Sequence, residues 1–407
     1  MILYLLGTII AFFILCFIFI RIKFKFWAIQ PVFHIYDLQY WFSNVGIIRH
    51  ELPGKNKYTN FREINTVNFD KVNESNLRDF IKLIQYNYHR ERDNIYYPKK
   101  ENIVPYFEGH NSPTFISFFW QPDVLINVKT NKTIDSKMLV GAITGRPFHV
   151  TIYKSGMDLP AQFDVYYIDF LCVKKGFRKK NMAPQLIQTH EYNQCHLNEN
   201  ISVSLFKREG NLTGIVPLTL YNTYCFDMKN WSDQPDPMHS KINLLVGDNQ
   251  NMYFLYNFIN ERQKRWDITI IPELSNLLKL IETRNIFVSM LLIDGEIEAV
   301  YVFRKTCTNI EKDKEAIACI ASMNGSVLST KEFIQGFKHA LWDILDKESI
   351  RNVNNFCFLV IEDVSDNRCI IDNIKLKTHP MAESPTAYYF YNFAHNSFKN
   401  NRSFIIN

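Results

Sequence analysis

The 407-residue sequence predicts an α/β protein in which two halves of similar size follow one N-terminal transmembrane helix. Three observations carry this prediction. Residues 1–20 contain no charged side chain. Strand-like runs rich in aromatic and β-branched residues alternate with helix-like runs through the rest of the chain. The same order of elements recurs in both halves. Hydrophobic residues make up 47% of the sequence, which is enough to fill the cores that this arrangement requires.

Residues 1–20 are expected to form a single-pass membrane anchor. Twenty helical residues span about 30 Å, the thickness of a bilayer core. The segment has neither the basic start nor the small-residue cleavage site of a signal peptide. A buried helix of a soluble domain is the alternative, but such helices are rarely so uniformly apolar. Arg21, Lys23 and Lys25 follow directly, and the positive-inside rule then places the globular part in the cytoplasm.

Composition narrows the class of partner. The net charge is +5 and charged residues are 21% of the chain, a mild excess that favours an anionic ligand or a membrane surface over bulk nucleic-acid binding. The eight cysteines are scattered singly and show no C-x-x-C spacing. We therefore expect free thiols in a reducing compartment, no metal site and no permanently bound cofactor.

The first half predicts a sheet with flanking helices. Residues 61–88 show a helical pattern, and residues 138–153 read as two strands around a glycine-rich bend. A core strand is expected at 165–173, a helix at 183–194 and a further strand at 201–206.

The second half follows a similar plan. Its predicted elements are a helix at 274–283, a hairpin of 286–293 and 299–303, a strand at 316–323, a helix at 331–345, and strands at 356–361 and 387–393. We divide the chain into the anchor (1–20), an N-terminal half (21–225) and a C-terminal half (226–407).

The most informative stretch begins where the predicted strand 165–173 ends. Five lysines and arginines lie between Lys174 and Lys180, and Pro184 then marks a helix start. A strand that leads through a basic loop to a helix N-terminus brings together backbone N–H groups, the helix dipole and cationic side chains. The pyrophosphate of coenzyme A fits such a site. From charge alone, a solvated basic turn is the better explanation of the stretch.

The order of residues in this stretch resembles the acyl-CoA-binding strand and loop of N-myristoyltransferases, F-L-C-V-x-K-x-L-R-x-K-x-x-A-P. The identities are Phe170, Leu171, Cys172, Val173, Lys175, Arg178, Lys180, Ala183 and Pro184. The resemblance implies myristoyl-CoA, or another long-chain acyl-CoA, as co-substrate. It implies that the ligand is bound by Phe170, Leu171, Cys172, Val173, Arg178, Lys179, Lys180, Asn181, Met182 and Ala183.

A second piece lies directly after the anchor. Residues 24–32 resemble the family's F-W-x-T-Q-P-V signature, and the matches are Phe26, Trp27, Gln30, Pro31 and Val32. The resemblance implies that Lys25, Phe26 and Trp27 cover the bound acyl-CoA. A juxtamembrane belt of aromatic and basic residues is the alternative.

Other pieces resemble the part of the family fold that binds the acceptor peptide. Residues 87–94 are similar to its N-Y-V-E-D-x-D-N loop, which implies that Tyr88 and Asp93 contact the substrate. Residues 388–393 are similar to a Y-Y-L-Y-N-W block. The pieces cover the chain except the anchor, and imply two acyl-CoA N-acyltransferase (GNAT-type) halves, each a mixed sheet flanked by helices, in a monomer.

Three departures from the family pattern concern the peptide side of the site. Asp169 stands where the family has asparagine. The Y-x-H-R motif appears as Tyr224-Cys225-Phe226-Asp227, so Tyr224 remains as a candidate substrate contact without its histidine. The G-x-G-D-G turn is replaced by residues 377–380.

The resemblance implies transfer of a myristoyl group from acyl-CoA to the N-terminal glycine amine of proteins. In the family, the backbone N–H groups at the positions of Phe170 and Leu171 stabilise the oxyanion, and the terminal carboxylate, here that of Asn407, acts as base. The apolar C-terminal run suits either a buried terminus or a final edge strand. Asp169 is a second candidate base. The competing functions are a catalytically silent, membrane-tethered acyl-CoA or lipid-binding module, and an acyltransferase with another amine acceptor.

Overall fold

Helices and strands alternate along the chain in a computed structural model that describes residues 2–42, 46–88, 94–126, 133–153, 160–210, 213–231, 234–311, 313–325, 327–351 and 354–407. The helices are α1 (Ile2–Lys23), α2 (Leu38–Phe42), α3 (Glu74–Asn87), α4 (Met182–Leu197), α5 (Met252–Arg262), α6 (Leu274–Glu282), α7 (Thr330–Ile350) and α8 (Asn367–Lys375). The strands are β1 (Gly46–Ile47), β2 (Ile64–Asn68), β3 (Ile95–Tyr96), β4 (Phe115–Ile126), β5 (Thr133–Ile152), β6 (Ala161–Val173), β7 (Ser204–Glu209), β8 (Thr219–Asp227), β9 (Ile242–Val246), β10 (Ile268–Ile271), β11 (Ile286–Ile293), β12 (Glu296–Glu311), β13 (Lys314–Asn324), β14 (Phe356–Glu362), β15 (Ala382–Tyr391), β16 (Phe393–Ala394) and β17 (Ser403–Ile405).

One large mixed sheet runs through both halves. Its main path has the order β17-β10-β5-β6-β7-β15-β8-β14-β13-β12-β11-β9, with β4 and β2 added beside β5 and β3 beside β12. The parallel pair β6–β7 is connected by α4, and the parallel pair β13–β14 is connected by α7. A parallel pair needs such a crossover connection. Each half therefore carries the same strand–helix–strand unit, and the predicted fold class is confirmed.

The structure corrects the predicted bend at 138–153. Residues 138–152 belong to one continuous strand, β5, which pairs with β4, β6 and β10. Gly141 and Gly145 lie within it because α4 packs against them. A Cβ at Gly141 would lie 2.8 Å from the Leu186 side chain, and one at Gly145 would collide with Gln194. These glycines permit a close approach of helix and strand.

The predicted helix at 61–88 is also too long. Residues Ile64–Asn68 form β2, which pairs with β4, and α3 begins only at Glu74. The reason is local, because the Asn73 side chain accepts a hydrogen bond from the Asn76 N–H and caps the helix there.

Helix α1 stands out from the globular part. In the part of the chain that the structure describes, it is the helix long and apolar enough to cross a membrane, and its membrane-length segment is not buried. Its last turns nevertheless contact the globular part. The Phe17 and Tyr36 rings meet edge-on at 5.1 Å between centroids, and the Ile20 side chain lies against Gly214.

Candidate active site

Strands β6 and β7 diverge in the middle of the sheet. Their parallel pairing covers only Tyr166–Ile168 and Ser204–Phe206. Strand β6 continues to Val173 and β7 to Glu209, with no further pairing between them in the described residues. The diverging ends leave an opening whose walls carry backbone hydrogen-bonding groups.

A β-bulge lies at this opening. Asp169 pairs with Thr144 and Cys172 with Ala142, so that two residues, Phe170 and Leu171, occupy the space of one. Phe170 has a φ of +49°, which turns its backbone out of the regular ladder. The bulge thus brings two successive N–H groups to the place where β7 has diverged.

Packing holds the bulge in place. The buried Phe170 ring lies 5.8 Å from the rings of Phe80 and Tyr88 and 6.4 Å from that of Phe107, between centroids. Cys172 is buried as well, and burial raises the pKa of its thiol to about 12. Cys172 is therefore a packing residue and not a nucleophile at neutral pH.

The basic turn after β6 is fastened to the end of α3 by Arg178. Its Nε donates to the Val173 carbonyl at 3.1 Å and its Nη2 to the Asn87 carbonyl at 2.5 Å. The Asn87 side chain in turn accepts from the Lys175 N–H at 3.0 Å. Much of the donor capacity of Arg178 is therefore used within the protein.

Lys179 and Lys180 remain exposed beside the start of α4. Asn181 precedes the helix with a φ of +56° and makes no side-chain cap, so the first N–H groups of α4 stay available. Met182 is buried and Ala183 half-buried under the same turn. These N–H groups and the two lysines form a site suited to a polyanion.

The segment after α1 lies against β7 at the opening. Trp27 stacks on Phe206 with 5.6 Å between centroids, and Phe206 stacks on Tyr389 at 5.2 Å. Phe206 is the last residue of β7 paired with β6. Phe26 is buried, and the neighbouring Lys25 is exposed. Trp27 and Phe26 thus flank the place where the two strands separate.

The C-terminal run enters the same region. Strand β17 pairs with β10, and Asn407 is only 2% exposed. The Asn407 side chain donates to the Tyr167 hydroxyl at 3.2 Å, and Arg304 donates to the main-chain oxygen of Asn407 at 3.4 Å. Both structural alternatives considered for the run therefore hold, since β17 is an edge strand and Asn407 after it is buried against Tyr167.

Residues 51–216 match the family model of the myristoyl-CoA:protein N-myristoyltransferase N-terminal domain. This segment of the chain therefore resembles the N-terminal domain of N-myristoyltransferases. No curated protein sequence matches it.

Solved N-myristoyltransferases share its fold. A Saccharomyces cerevisiae N-myristoyltransferase with bound myristoyl-CoA superposes with a TM-score of 0.66 at 16% identity, covering 92% of this chain and 94% of that one. A further structure of the yeast enzyme, with myristoyl-CoA and inhibitors, gives 0.67 at 16% identity over 92% and 91%. A tandem GNAT protein from the clavulanic acid biosynthesis pathway gives 0.52 at 9% identity over 83% and 100%. The chain therefore has the same overall fold as these structures.

Asp169, where N-myristoyltransferases have asparagine, acts directly on the bulge. Its carboxylate accepts a hydrogen bond from the Phe170 N–H at 2.7 Å. One of the two predicted oxyanion donors is thus already engaged by a negative charge of the chain itself. Leu171 lies in the bulge at the opening, and its side chain is partly exposed.

A buried charge network lies beside this opening, and the sequence analysis missed it. Glu362 is 2% exposed, accepts from Lys207 at 2.7 Å and from the Tyr221 hydroxyl at 2.5 Å, and lies 3.9 Å from Arg304. Burial raises the pKa of Glu362, but Lys207 and Arg304 outweigh it and the net pKa is lowered. The sequence signal that could have revealed this network is Glu362, a charged residue at a buried position of the apolar strand β14.

The remaining predicted substrate residues are not brought together. Tyr88 packs on Phe170, and burial raises the pKa of its hydroxyl well above the usual value. Asp93 lies outside the described residues. Tyr224 is on β8, which β15 and β7 separate from β6 by about 14 Å. Its ring is buried in the core of the C-terminal half, with the Lys375 ammonium 3.6 Å from its centre.

Proposed function

We propose that the protein transfers a long-chain acyl group, in the first instance myristoyl, from acyl-CoA to the N-terminal glycine amine of other proteins. The observation that carries the proposal is the bulge at Phe170 and Leu171, placed where β6 and β7 diverge and followed by the basic turn and α4. The match of residues 51–216 to the N-terminal domain of myristoyl-CoA:protein N-myristoyltransferases supports it.

In this proposal the acyl-CoA lies across the opening. Its phosphates meet Lys179, Lys180 and the first N–H groups of α4. Trp27 and Phe26 cover the ligand and Lys25 reaches a phosphate. The thioester oxygen accepts from the Leu171 N–H, and from the Phe170 N–H when Asp169 releases it.

The chemistry is an acyl transfer. The neutral glycine amine attacks the thioester carbonyl carbon, a carboxylate takes the proton, and the C–S bond breaks to release CoA as its thiol. The terminal carboxylate of Asn407 and the side chain of Asp169 are the two candidate bases. We further propose that α1 spans a membrane and that the globular part faces the cytoplasm, which follows from Arg21, Lys23 and Lys25 at its end.

A second candidate function is a catalytically silent acyl-CoA-binding module. The hydrogen bond from Phe170 N–H to the Asp169 carboxylate favours it, because a negative charge at this position opposes a developing oxyanion. Such a module would keep the acyl-CoA side of the site and lose transfer.

The test uses the full chain in detergent with myristoyl-CoA and a glycyl peptide. We expect acylated peptide in the mass spectrum and an equal amount of free CoA thiol, with no product from an N-acetylglycyl control peptide. Acyl-CoA binding without acylated peptide would contradict the transferase and support the silent module.

The Asp169→Asn variant separates the candidate bases. If the terminal carboxylate is the base, removing the charge from beside the Phe170 N–H should raise kcat, on the order of tenfold or more. If Asp169 is the base, the variant should lose transfer. Asp267→Asn, in an exposed ion pair with Arg402, is the matched control and should leave kcat unchanged.

A further inference from the structure

Arg146 is a cation buried inside the sheet. It lies on β5 opposite Tyr167 of β6, and only 1% of its surface is exposed. Its Nε and Nη1 atoms have no hydrogen-bond partner in the part of the chain that the structure describes. Burying these two donor atoms without acceptors is unfavourable, so their presence points to a partner that the protein binds.

Aromatic rings surround the guanidinium. Its Cζ lies 4.9 Å from the ring centre of Tyr106, 4.7 Å from that of Phe148 and 5.2 Å from that of Tyr167. The faces of these rings stabilise the positive charge. Ring faces are at most weak acceptors for N–H groups, so Nε and Nη1 can still donate to an oxygen atom of a bound partner. Burial lowers the pKa of Arg146, but an arginine remains charged at neutral pH.

The neighbouring Arg304, unlike Arg146, has hydrogen-bond acceptors within the protein. Arg304 donates to the Asn407 main-chain and side-chain oxygens at 3.4 and 3.2 Å, and lies 3.9 Å from Glu362. Arg146 shares the rings of Tyr106 and Tyr167 with this region but has no such acceptors. The Asp169 carboxylate stabilises the charge of Arg146 electrostatically, but Nε and Nη1 still have no hydrogen-bond acceptor among the described residues.

Tyr167 connects Arg146 to the proposed reaction centre. Its hydroxyl accepts from Asn407, and it lies two residues before Asp169 on β6. The proposed phosphate site at Lys179 and Lys180 lies beyond the other end of the bulge. An anion bound to Arg146 would therefore belong to the acyl acceptor and not to the CoA.

We propose that Arg146 binds a carboxylate of the acyl acceptor. The inference rests on the proposed function for the place of the acceptor, and it adds the acceptor's chemical class. A carboxylate forms charge-assisted hydrogen bonds with the guanidinium and balances its charge. Two sources carry this group: an acidic side chain close to an N-terminal glycine, and the α-carboxylate of free glycine.

The experiment measures binding without turnover. The full chain, saturated with a non-transferable thioether analogue of myristoyl-CoA, is titrated with the peptide amide Gly-Asp-Ala-Ala, its Gly-Asn-Ala-Ala counterpart, and free glycine. We expect a carboxylate-bearing ligand to bind at least about tenfold more tightly than the asparagine peptide. Arg146→Met should remove that difference, and Arg146→Lys, which keeps the charge, should retain part of it. Arg78→Met, an exposed residue of α3, should change nothing.

The outcomes are distinct. A preference for the acidic peptide identifies a side-chain carboxylate, and a preference for free glycine identifies an α-carboxylate. Equal binding of all ligands by the wild-type chain, or an undiminished preference in folded Arg146→Met, overturns the inference. A preference without acyl transfer in the turnover assay would contradict only the proposed function. Transfer without any preference would contradict only the role of Arg146.

Discussion

Single residues decide the chemical character of this site. The backbone donors of the bulge depend on strand geometry, so the exchange of neighbouring side chains leaves them in place. The side chains around them set the charge. Asp169 and Arg146 place opposite charges on adjacent strands at the centre of the sheet, and the Asp169 carboxylate raises the pKa of Arg146 against the larger lowering by burial. The opening therefore carries charged side chains that an unsubstituted glycine acceptor would not require.

Buried residues away from the opening have measurable effects too. Glu191 of α4 accepts from the Ser204 hydroxyl at 3.0 Å and contacts the Cys195 thiol at 3.4 Å. Burial raises the pKa of Glu191 from 4.5 to about 7. Between these values the folded protein keeps a proton that the unfolded chain releases. The free energy of unfolding should therefore fall as the pH rises through this window.

We expect Glu191→Gln to remove this component. The difference in unfolding free energy between pH 5 and pH 8 should shrink by up to about 3 kcal/mol relative to wild type. Thermal or urea unfolding at the two pH values measures it. The control is Glu199→Gln, at an exposed position two residues after the end of α4. An identical pH dependence in wild type and Glu191→Gln would show that Glu191 is ionised in the folded state.

At the scale of elements, the turn between β6 and α4 divides its basic residues between two tasks. Arg178 ties the turn to α3, whereas Lys179 and Lys180 face outwards. Replacing Arg178, Lys179 and Lys180 together would therefore change both the stability of the fold and ligand binding. The structure allows the two tasks to be tested separately.

Replacing Lys179 and Lys180 by alanine should weaken acyl-CoA binding and reduce its dependence on salt, because two phosphate contacts are lost. Titration at low and high ionic strength measures both effects, with about a tenfold loss expected at low salt. Arg178→Ala should instead lower the melting temperature. Unchanged affinity in the double variant would remove the phosphate site from the turn.

The elements that were predicted correctly are those with local signals. The strand before the basic turn, the helix α4 after it and the hairpin of β11 and β12 each follow from hydrophobic periodicity and turn residues. The bend expected at Gly141 and Gly145 failed because its cause is not local. These glycines leave room for α4, which follows them by about 40 residues in the sequence. The sequence alone does not show whether a glycine forms a turn or permits close packing.

At the scale of the whole molecule, the site gathers residues from both halves. Phe170 and Leu171 come from β6, Lys207 from β7 and Glu362 from β14, while Asn407 comes from the segment after β17. The resemblance of short motifs pointed to Phe170 and Leu171 as backbone donors and to the basic turn, but it did not predict the bulge. It could not collect the charge network, whose members lie far apart in sequence and show no motif of their own.

The position of Asn407 gives a test at this scale. If its terminal carboxylate is the base, its position matters to within about an ångström. Adding a few residues after Asn407 should abolish transfer, while acyl-CoA binding through the bulge and basic turn persists. Acyl-CoA titration and peptide acylation are measured on the same preparations. Equal transfer rates for the extended and unextended chains would remove the carboxylate of Asn407 as base and leave Asp169.

The contacts at the end of α1 have a mechanical consequence. In the proposed membrane-anchored arrangement, the contacts of Phe17 and Ile20 with the globular part would hold that part close to the bilayer. The exposed apolar residues Leu38 and Phe42 would then lie next to lipid. The candidate active site would stay at a short distance from the membrane surface. Acceptor proteins would be sampled from a thin layer next to the membrane, and the search becomes two-dimensional.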